Sequence, residues 1–564
     1  MNTKVHIVEQ DPIHVNEVVP GTLFMDFGRV AFGNLWLQPP RDMAGGIVVH
    51  FGESMVDGRV GRTPPGSVRY ARVEVSLAAG APILVAPPPD PRNTGHPSAV
   101  PTPAEWGVVI PFRWVEIEGW PGRMEAGQVK RCAAFLATWD DTASAFSCSD
   151  PMLSRIWDLC RYSIKATTFA GVYVDGDRER IAYEADAYIN QVGHYYCDSD
   201  VHMARDTFDH LMRFPTWPTE WAFHMIFIAF AEWMQTGDTT WLAERYELLK
   251  PKLLEDRRRA NGLLVSTPAQ MEKGDLIDWP AGERDGFVFT PVNTVVNAFY
   301  IHSLGLMSQL AAALGRTVDA HVYASRAAEV TRVFHETLFD PALARYRDGE
   351  GTNHTSVHAN LFPLAFGLVP EPHRDAITGW LVGRGMVCSV YTAMYLLEAL
   401  FENGAEHAAL DLIIAPGDRS WRHMIESGTT ITWEAWDQRY KPNQDWSHAW
   451  GAAPAYLLPR YVLGVQFLLP GWSRVLVRPA TGGLDWVEGV VPTPRGPISV
   501  RWENAPNFRM SLSLPTELNV RLELPAPTYS TGIWADGEAI ECICNDGRWV
   551  IDRTIGGTSV YEVR

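Results

Sequence analysis

Apolar and polar positions alternate in short runs through the first 145 residues. Residues 47–51, 70–77, 108–117 and 129–138 each read as a strand. Glycine and proline clusters such as Pro87-Pro88-Pro89 and Gly119-Trp120-Pro121 separate them, and that spacing predicts a β-sandwich. At Ser149-Asp150-Pro151 the period changes. Ser149 or Asp150 can cap a helix with Pro151 at its first position, and Met152, Leu153, Ile156, Trp157 and Cys160 then recur at helical spacing. Further helices are predicted over roughly 181–197, 201–213, 218–235, 239–256, 290–314, 318–337, 371–383, 389–403, 404–414 and 448–463. So many helices without a convincing strand between them predict an all-α barrel or toroid, and no fixed-length repeat marks a solenoid. After Gly464, strands return at 474–478, 498–502, 510–514 and 520–524, with turns such as 492–497 between them. The expected architecture is a β-sandwich over 1–145, a helical domain over 146–465 and a second, smaller β-sandwich over 466–564.

A chain of 564 residues is too long for one core, which agrees with several domains. Its formal charge of −18 carries no long single-sign run. Nucleic acid and anionic membranes need concentrated basic patches, so neither is an expected partner. Residues 1–16 lack the basic start and apolar stretch of a secretory signal, and the apolar run at 222–233 is too short to span a bilayer. A cytoplasmic location is therefore expected; self-association is left open. The seven cysteines form no disulfide framework, and Cys542 with Cys544 lacks the second pair of a zinc site. The 22 tryptophans are the informative count, about three times ordinary usage. Indole faces stack on the C–H faces of sugar rings, which hints at a carbohydrate ligand.

Two polar constellations carry the candidate chemistry. The first is Asp175-Gly176-Asp177-Arg178-Glu179-Arg180, continuing to Glu184 and Asp186. If a helix starts near Glu179, Glu179 and Asp186 lie seven apart on one face, with Asp175 and Asp177 in the loop before it. Such a cluster is either a capped helix start with ion pairs or a site whose neighbours raise one carboxyl into the range of a general acid. The second is Trp433-Glu434-Ala435-Trp436-Asp437, followed by Asp445-Trp446-Ser447-His448-Ala449-Trp450, a glutamate between indoles with a histidine at the next helix. His354 and His358 are four apart, but no glutamate follows the first in the metalloprotease pattern and no third ligand is evident. No metal and no cofactor are expected; there is also no phosphate-cradling glycine loop and no serine elbow.

At these residues the chain resembles glycoside hydrolase family 78, the bacterial α-L-rhamnosidases. That family typically carries an aspartate, an arginine, then Glu-Arg-Leu-Gly-Trp-x-Gly-Asp-Ala; here the stretch reads Arg178-Glu179-Arg180-Ile181-Ala182-Tyr183-Glu184-Ala185-Asp186-Ala187. A later tryptophan-glutamate-x-tryptophan signature with Asn-His beyond it is similar to Trp433, Glu434, Trp436 and Ser447-His448. The segments at 112–121, 475–480, 486–489 and 493–496 resemble the family's flanking sandwiches. The resemblance implies an (α/α)6 barrel between amino- and carboxy-terminal β-sandwiches. It implies Glu179 as general acid and Glu434 as general base of an inverting hydrolysis, whose carboxyls stand far enough apart to hold a water. It also implies that Asp186, Arg178, His448 and either Asp175 or Asp177, with Asp175 preferred, bind rhamnose. Tyr183, Trp221, Asp278, Trp279 and Trp436 join them as candidate sugar contacts. The loop before Glu179 is one residue short of the family's, Tyr183 replaces a tryptophan, Ala182 and Ala185 replace glycines, and Glu184 is extra. The rival readings are another deoxy or L-configured hexose on the same barrel, a polysaccharide lyase, and a sugar-binding relative without turnover.

Overall fold

The computed structural model describes residues 4–41, 44–120 and 123–564. Residues 1–3 of the amino-terminal stretch and Pro121 of the predicted Gly119-Trp120-Pro121 turn lie outside them. Eight strands before residue 140 form one antiparallel sheet. Its spine, Thr22–Leu37, is longer than any strand the alternation predicts, because Asp26, Gly28 and Arg29 interrupt the pattern. In the fold these residues form a bulge. Gly28 takes φ of 81° and donates to Asp26 Oδ1 at 2.7 Å, and the register against Ile110–Glu118 shifts between Asp26 and Ala31. A bulge bends its strand. The sheet's apolar face gathers around Leu35, Phe51, Phe112, Val115 and Ile117.

The helical region opens as predicted, with Asp150 accepting from Met152 N at 2.7 Å and Pro151 leading the helix Pro151–Ala166. Five helices pack in succession: Glu184–Cys197 on Thr219–Thr236, then Thr294–Ala313, His358–Ala365 and Ala393–Glu402. The short helix Pro454–Leu457 packs on the last and again on the first. Other helices, among them His202–Arg213, Thr317–Leu338 and Glu371–Arg384, lie against neighbours in this succession. Four expectations are corrected here. The helix predicted from 181 begins at Glu184, because Arg180 sits at φ of 52° and Ile181 is clasped by Asp175 N–H···O=C at 2.9 Å. His358–Ala365 is a helix that the pattern misses, masked by Pro363 inside it. The span 448–463 breaks into a 3-10 turn, a short α-helix and a π-helix, Leu458–Val462, where Pro454 and Pro459 lack the N–H an unbroken helix needs. A two-stranded hairpin, Phe339–Asp340 with Arg345–Tyr346, also lies between helices where no strand is expected.

A ten-stranded sheet follows. The strands expected at 510–514 and 520–524 are one strand, Arg509–Pro525, which pairs with Arg548–Val563 across a register shift between Leu514 and Leu518. This sheet also takes in Ala145–Cys148, which pairs antiparallel with Trp486–Val491, so the chain passes through it before entering the helices. One apolar cluster runs from the helices into the sheet, and Trp502 Nε1 donates to Val462 O at 2.9 Å across the junction. No helix among the described residues is long and apolar enough to cross a membrane.

That shared core generates a prediction. A chain ending at Leu463 exposes the apolar wall covered by Val487, Val500 and Trp502, leaves Ala145–Cys148 unpaired, and should lack a cooperative thermal transition by calorimetry. Full-length-like melting of the truncated chain would show that the helical unit is independent.

Candidate active site

Two segments remote in sequence meet at the amino-terminal ends of the packed helices. The first, 175–183, is a clasped loop: Ile181 N donates to Asp175 Oδ1 at 3.0 Å, and Val100 N to Arg180 O at 2.9 Å. In the second, Trp433 stacks on Trp446 at 5.2 Å, and Trp450 Nε1 donates to the carbonyl of Glu434 at 2.9 Å, which fixes the glutamate's backbone. Gly176 is where the segments touch. Its φ is 133°, and a Cβ there would lie 2.7 Å from Ser447 O and 3.0 Å from Asp445 Oδ2.

A cavity of about 220 Å³ opens between them. It is lined by Asp175, Arg178, Glu179, Tyr183, Asp186, Trp221, Trp279, Glu434 and His448, all predicted site residues, and by Trp217, Leu276 and Trp450. Arg178 joins the two candidate catalytic carboxylates. Its Nη1 and Nη2 donate to Glu434 at 2.6 and 2.9 Å, and its Nε to Glu179 at 3.3 Å. Glu434 is buried and also lies 3.1 Å from Lys441 Nζ. Glu179 is 35% exposed, and the Tyr183 hydroxyl donates to it at 2.9 Å.

Burial shapes the remaining charges. It opposes the charge on His448, but Asp186 at 2.7 Å and Asp445 at 3.5 Å outweigh it and push the imidazole up to about 10. Burial pushes the Asp175 carboxyl well up, and its Oδ2 has no partner among the described residues. The Trp221 Nε1 is likewise buried without a partner. An unmade buried hydrogen bond costs roughly 1–3 kcal/mol. Two of them on one cavity wall make a surface that favours a ligand bearing hydroxyls. Glu434, Asp445 and His448 lie close enough together to surround a cation, but Arg178, Lys441 and the protonated histidine already supply positive charge there.

Three predicted contacts stand outside the cavity lining. Asp177 is consumed by Arg69 Nε and by Arg180 Nη2 at 2.7 Å, so of the two aspartates left open it is Asp175 that faces the cavity. Asp278 has both oxygens filled by His358 Nε2 at 2.7 Å, Ser389 and Trp279 N, which orients Trp279 instead. Trp436 is buried on Trp421 with its Nε1 on Cys388 O at 2.7 Å. His354 lies in a loop on Asp348, so the two histidines share no helical face. His224 belongs to the core, on Tyr395 OH at 2.8 Å.

Two other contributors were not named as candidate contacts: Glu53, which left no local signal in the sequence, and Glu220, beside the candidate Trp221. Glu53, pushed up to about 8 by burial, accepts from Arg69 N at 2.7 Å and from the Ser447 hydroxyl, tying the amino-terminal sheet to the second segment. Glu220 accepts from Leu276 N at 2.8 Å and Ile277 N at 3.0 Å and so places the wall beside Trp279.

The model of the bacterial α-L-rhamnosidase six-hairpin glycosidase domain matches residues 141–462, more than half of the chain. The chain belongs to this family. The α-L-rhamnosidase carboxy-terminal domain matches residues 464–533. An α-L-rhamnosidase of Alteromonas sp. (strain LOR) is 24% identical over 456 residues, 74% of this chain and 48% of that one. One of Streptomyces avermitilis is 24% identical over 253 residues, 42% of this chain and 24% of that one. The chain thus spans about half the length of the first relative or less. Among solved structures, an α-L-rhamnosidase from Dictyoglumus thermophilum superposes with a TM-score of 0.80 at 18% identity, covering 99% of this chain and 63% of the other. The Streptomyces avermitilis enzyme complexed with L-rhamnose gives 0.79 at 18% identity, covering 99% and 54%. These likenesses establish the shared fold. Within the family frame, the extra Glu184 is buried and accepts from Thr216 N at 3.0 Å and from the Thr216 hydroxyl, which anchors the segment carrying Trp217.

Two predictions follow from this geometry. Gly176→Ala should force the two segments apart and lower kcat/KM by about a hundredfold while circular dichroism stays unchanged; unimpaired turnover would refute the close approach. His448 has a folded pKa above its ordinary value of 6.5, so its stabilisation is complete below about 6.5 and is lost as pH rises through about 10. The melting-temperature gap between the wild type and His448→Gln should therefore narrow from pH 6.5 to 10. A gap independent of pH would contradict the pairing.

Proposed function

We propose that this chain is an inverting exo-glycoside hydrolase that releases terminal α-L-rhamnose from glycosides or oligosaccharides. On this reading the succession of helices that returns to its start is an (α/α)6 barrel, over 146–465, between β-sandwich domains at 1–145 and 466–564. The observation that carries the proposal is that Glu179 and Glu434 line one indole-rich cavity on two edges of a single guanidinium. The relatives named as α-L-rhamnosidases, and the relative solved with L-rhamnose, support the choice of sugar.

Glu179, at the more open side, protonates the glycosidic oxygen as the bond to the anomeric carbon breaks. Glu434, on the closed side, takes a proton from a water that attacks the opposite face, and the product inverts. In the resting site Glu434 receives Arg178 on both oxygens and Lys441 on one. Sugar hydroxyls must draw Arg178 from at least one oxygen before the base can act. Asp175 Oδ2 and Trp221 Nε1 are unfilled partners for those hydroxyls, with Asp186 and His448 beside them. A cavity of about 220 Å³, below the roughly 300–1,000 Å³ of a drug-sized site, suits one terminal ring and hence exo action.

Release of nitrophenol from p-nitrophenyl α-L-rhamnoside tests the sugar and the reaction, and proton NMR of the first product tests inversion, which yields the β anomer. Glu434→Gln should remove turnover. Glu179→Gln should cost about 10²–10⁴-fold on alkyl rhamnosides and much less on nitrophenyl rhamnoside, whose leaving group needs little protonation. Equal losses on both substrates would remove Glu179 as the acid, and initial release of the α anomer would overturn inversion.

A further inference from the structure

A second and larger cavity, of about 520 Å³, lies toward the opposite ends of the same packed helices. On Thr219–Thr236 the catalytic cavity takes Trp221, whereas the second takes Phe227, Phe230 and Ala231. At 1.5 Å per residue the two sets are about 9–15 Å apart along the axis. The partition between them is aromatic. Tyr391 stacks on Trp450 at 5.7 Å on the catalytic side and meets Tyr395, a wall residue of the second cavity, edge-on at 5.9 Å.

Three charged groups of this cavity, Glu398, Glu402 and Arg460, come from Ala393–Glu402 and the segment that packs on it, and His302, Arg374 and Asn403 also line it. Arg460 sits in the π-helical segment Leu458–Val462, and such segments are enriched at functional sites. Its guanidinium lies 5.5 Å from the Tyr456 ring and 5.3 Å from that of Tyr461, with the Tyr196 and Tyr461 hydroxyls as its nearby acceptors, while Nε and Nη1 are buried without a well-formed hydrogen bond and it forms no ion pair among the described residues. Glu398 accepts from Tyr456 OH at 2.7 Å, and Glu402 from Tyr461 OH at 2.9 Å. Aromatic and aliphatic side chains, among them Tyr188, Phe227, Phe366 and Leu364, make up much of the rest of the wall. None of these residues takes part in the chemistry proposed for the first cavity.

We infer that this cavity is a second binding site, for a small phenol: a planar aromatic ring hydroxylated along one edge. Aromatic walls on several sides bury such a ring by stacking and edge-to-face contact. The hydroxylated edge meets acceptors on Glu398 and Glu402 and the donor on Arg460. A sugar fits less well, because its hydroxyls ring the whole molecule and would leave several buried polar groups unmade against the apolar wall. Burial pushes the Glu398 carboxyl up to about 7, so it can donate as well as accept near neutral pH.

Calorimetric titration of the full chain with 4-nitrocatechol tests this directly, and L-rhamnose provides the sugar arm. Saturable one-to-one binding is expected, weakened about tenfold by Glu398→Gln and blocked by Ala231→Leu, which fills the cavity. Glu434→Gln and excess L-rhamnose should leave it unchanged, and none of these readouts depends on turnover. Absence of saturable binding, competition by L-rhamnose, or binding indifferent to both Glu398→Gln and Ala231→Leu would overturn the assignment. If one variant fails to fold, the other decides.

Discussion

Buried carboxylates are held at the site only because cations are buried with them. Asp175, Asp177, Glu434 and Asp445 within the two segments that form the cavity, and Asp186 on the helix that follows the first, are all shielded from water. An unpaired buried charge costs several kcal/mol, so such a cluster survives only if each negative group meets a positive one or is protonated. Arg178 serves Glu434 and Glu179, Arg69 and Arg180 serve Asp177, and His448 serves Asp186 and Asp445. Of these pairs, Arg178 with Glu434, Arg69 with Asp177 and His448 with Asp186 join segments distant in the chain, while Arg178 with Glu179, Arg180 with Asp177 and His448 with Asp445 are local. Charge compensation therefore assembles the site as well as stabilising it.

The amino-terminal sheet takes part in that assembly. Arg69 and Asn93 hold Asp177, Glu53 holds Ser447, and Ser67 N donates to Gln444 O at 3.0 Å. A unit that contributes nothing to the cavity lining thus braces both segments from behind. Correctly placed catalytic groups lose rate steeply with small displacements, so bracing at this distance bears on turnover as well as on folding.

The parts of this design that were legible in the sequence are those written locally. Asp150-Pro151 marks a helix start because cap and proline act within one turn, and Tyr70–Leu77 shows its alternation over its full length. Glu179, Glu434 and their neighbours could be picked out because carboxylates, arginine and indoles are concentrated within a few residues, and family resemblance gave them roles. What was hidden depends on contacts across the fold. Thr22–Leu37 breaks its own alternation at a bulge, and His358–Ala365 carries a proline that its neighbours tolerate. Asp177 and Asp278 are sugar contacts by family resemblance, yet their oxygens are taken up largely by groups far away in sequence. Glu53 and Lys441 reach the site from surroundings with no motif at all.

The strand Ala145–Cys148 bears on how the protein is made. Its partner, Trp486–Val491, lies more than three hundred residues later in the chain. At a synthesis rate of about 5–20 residues per second, the partner emerges roughly 20–70 s after the strand itself. For that interval the entrance to the helical region leaves the ribosome with an unpaired edge beside an apolar surface that only the finished chain can cover. Chaperone demand during synthesis should thus fall on this junction, and slower translation of the last hundred codons would prolong the exposure.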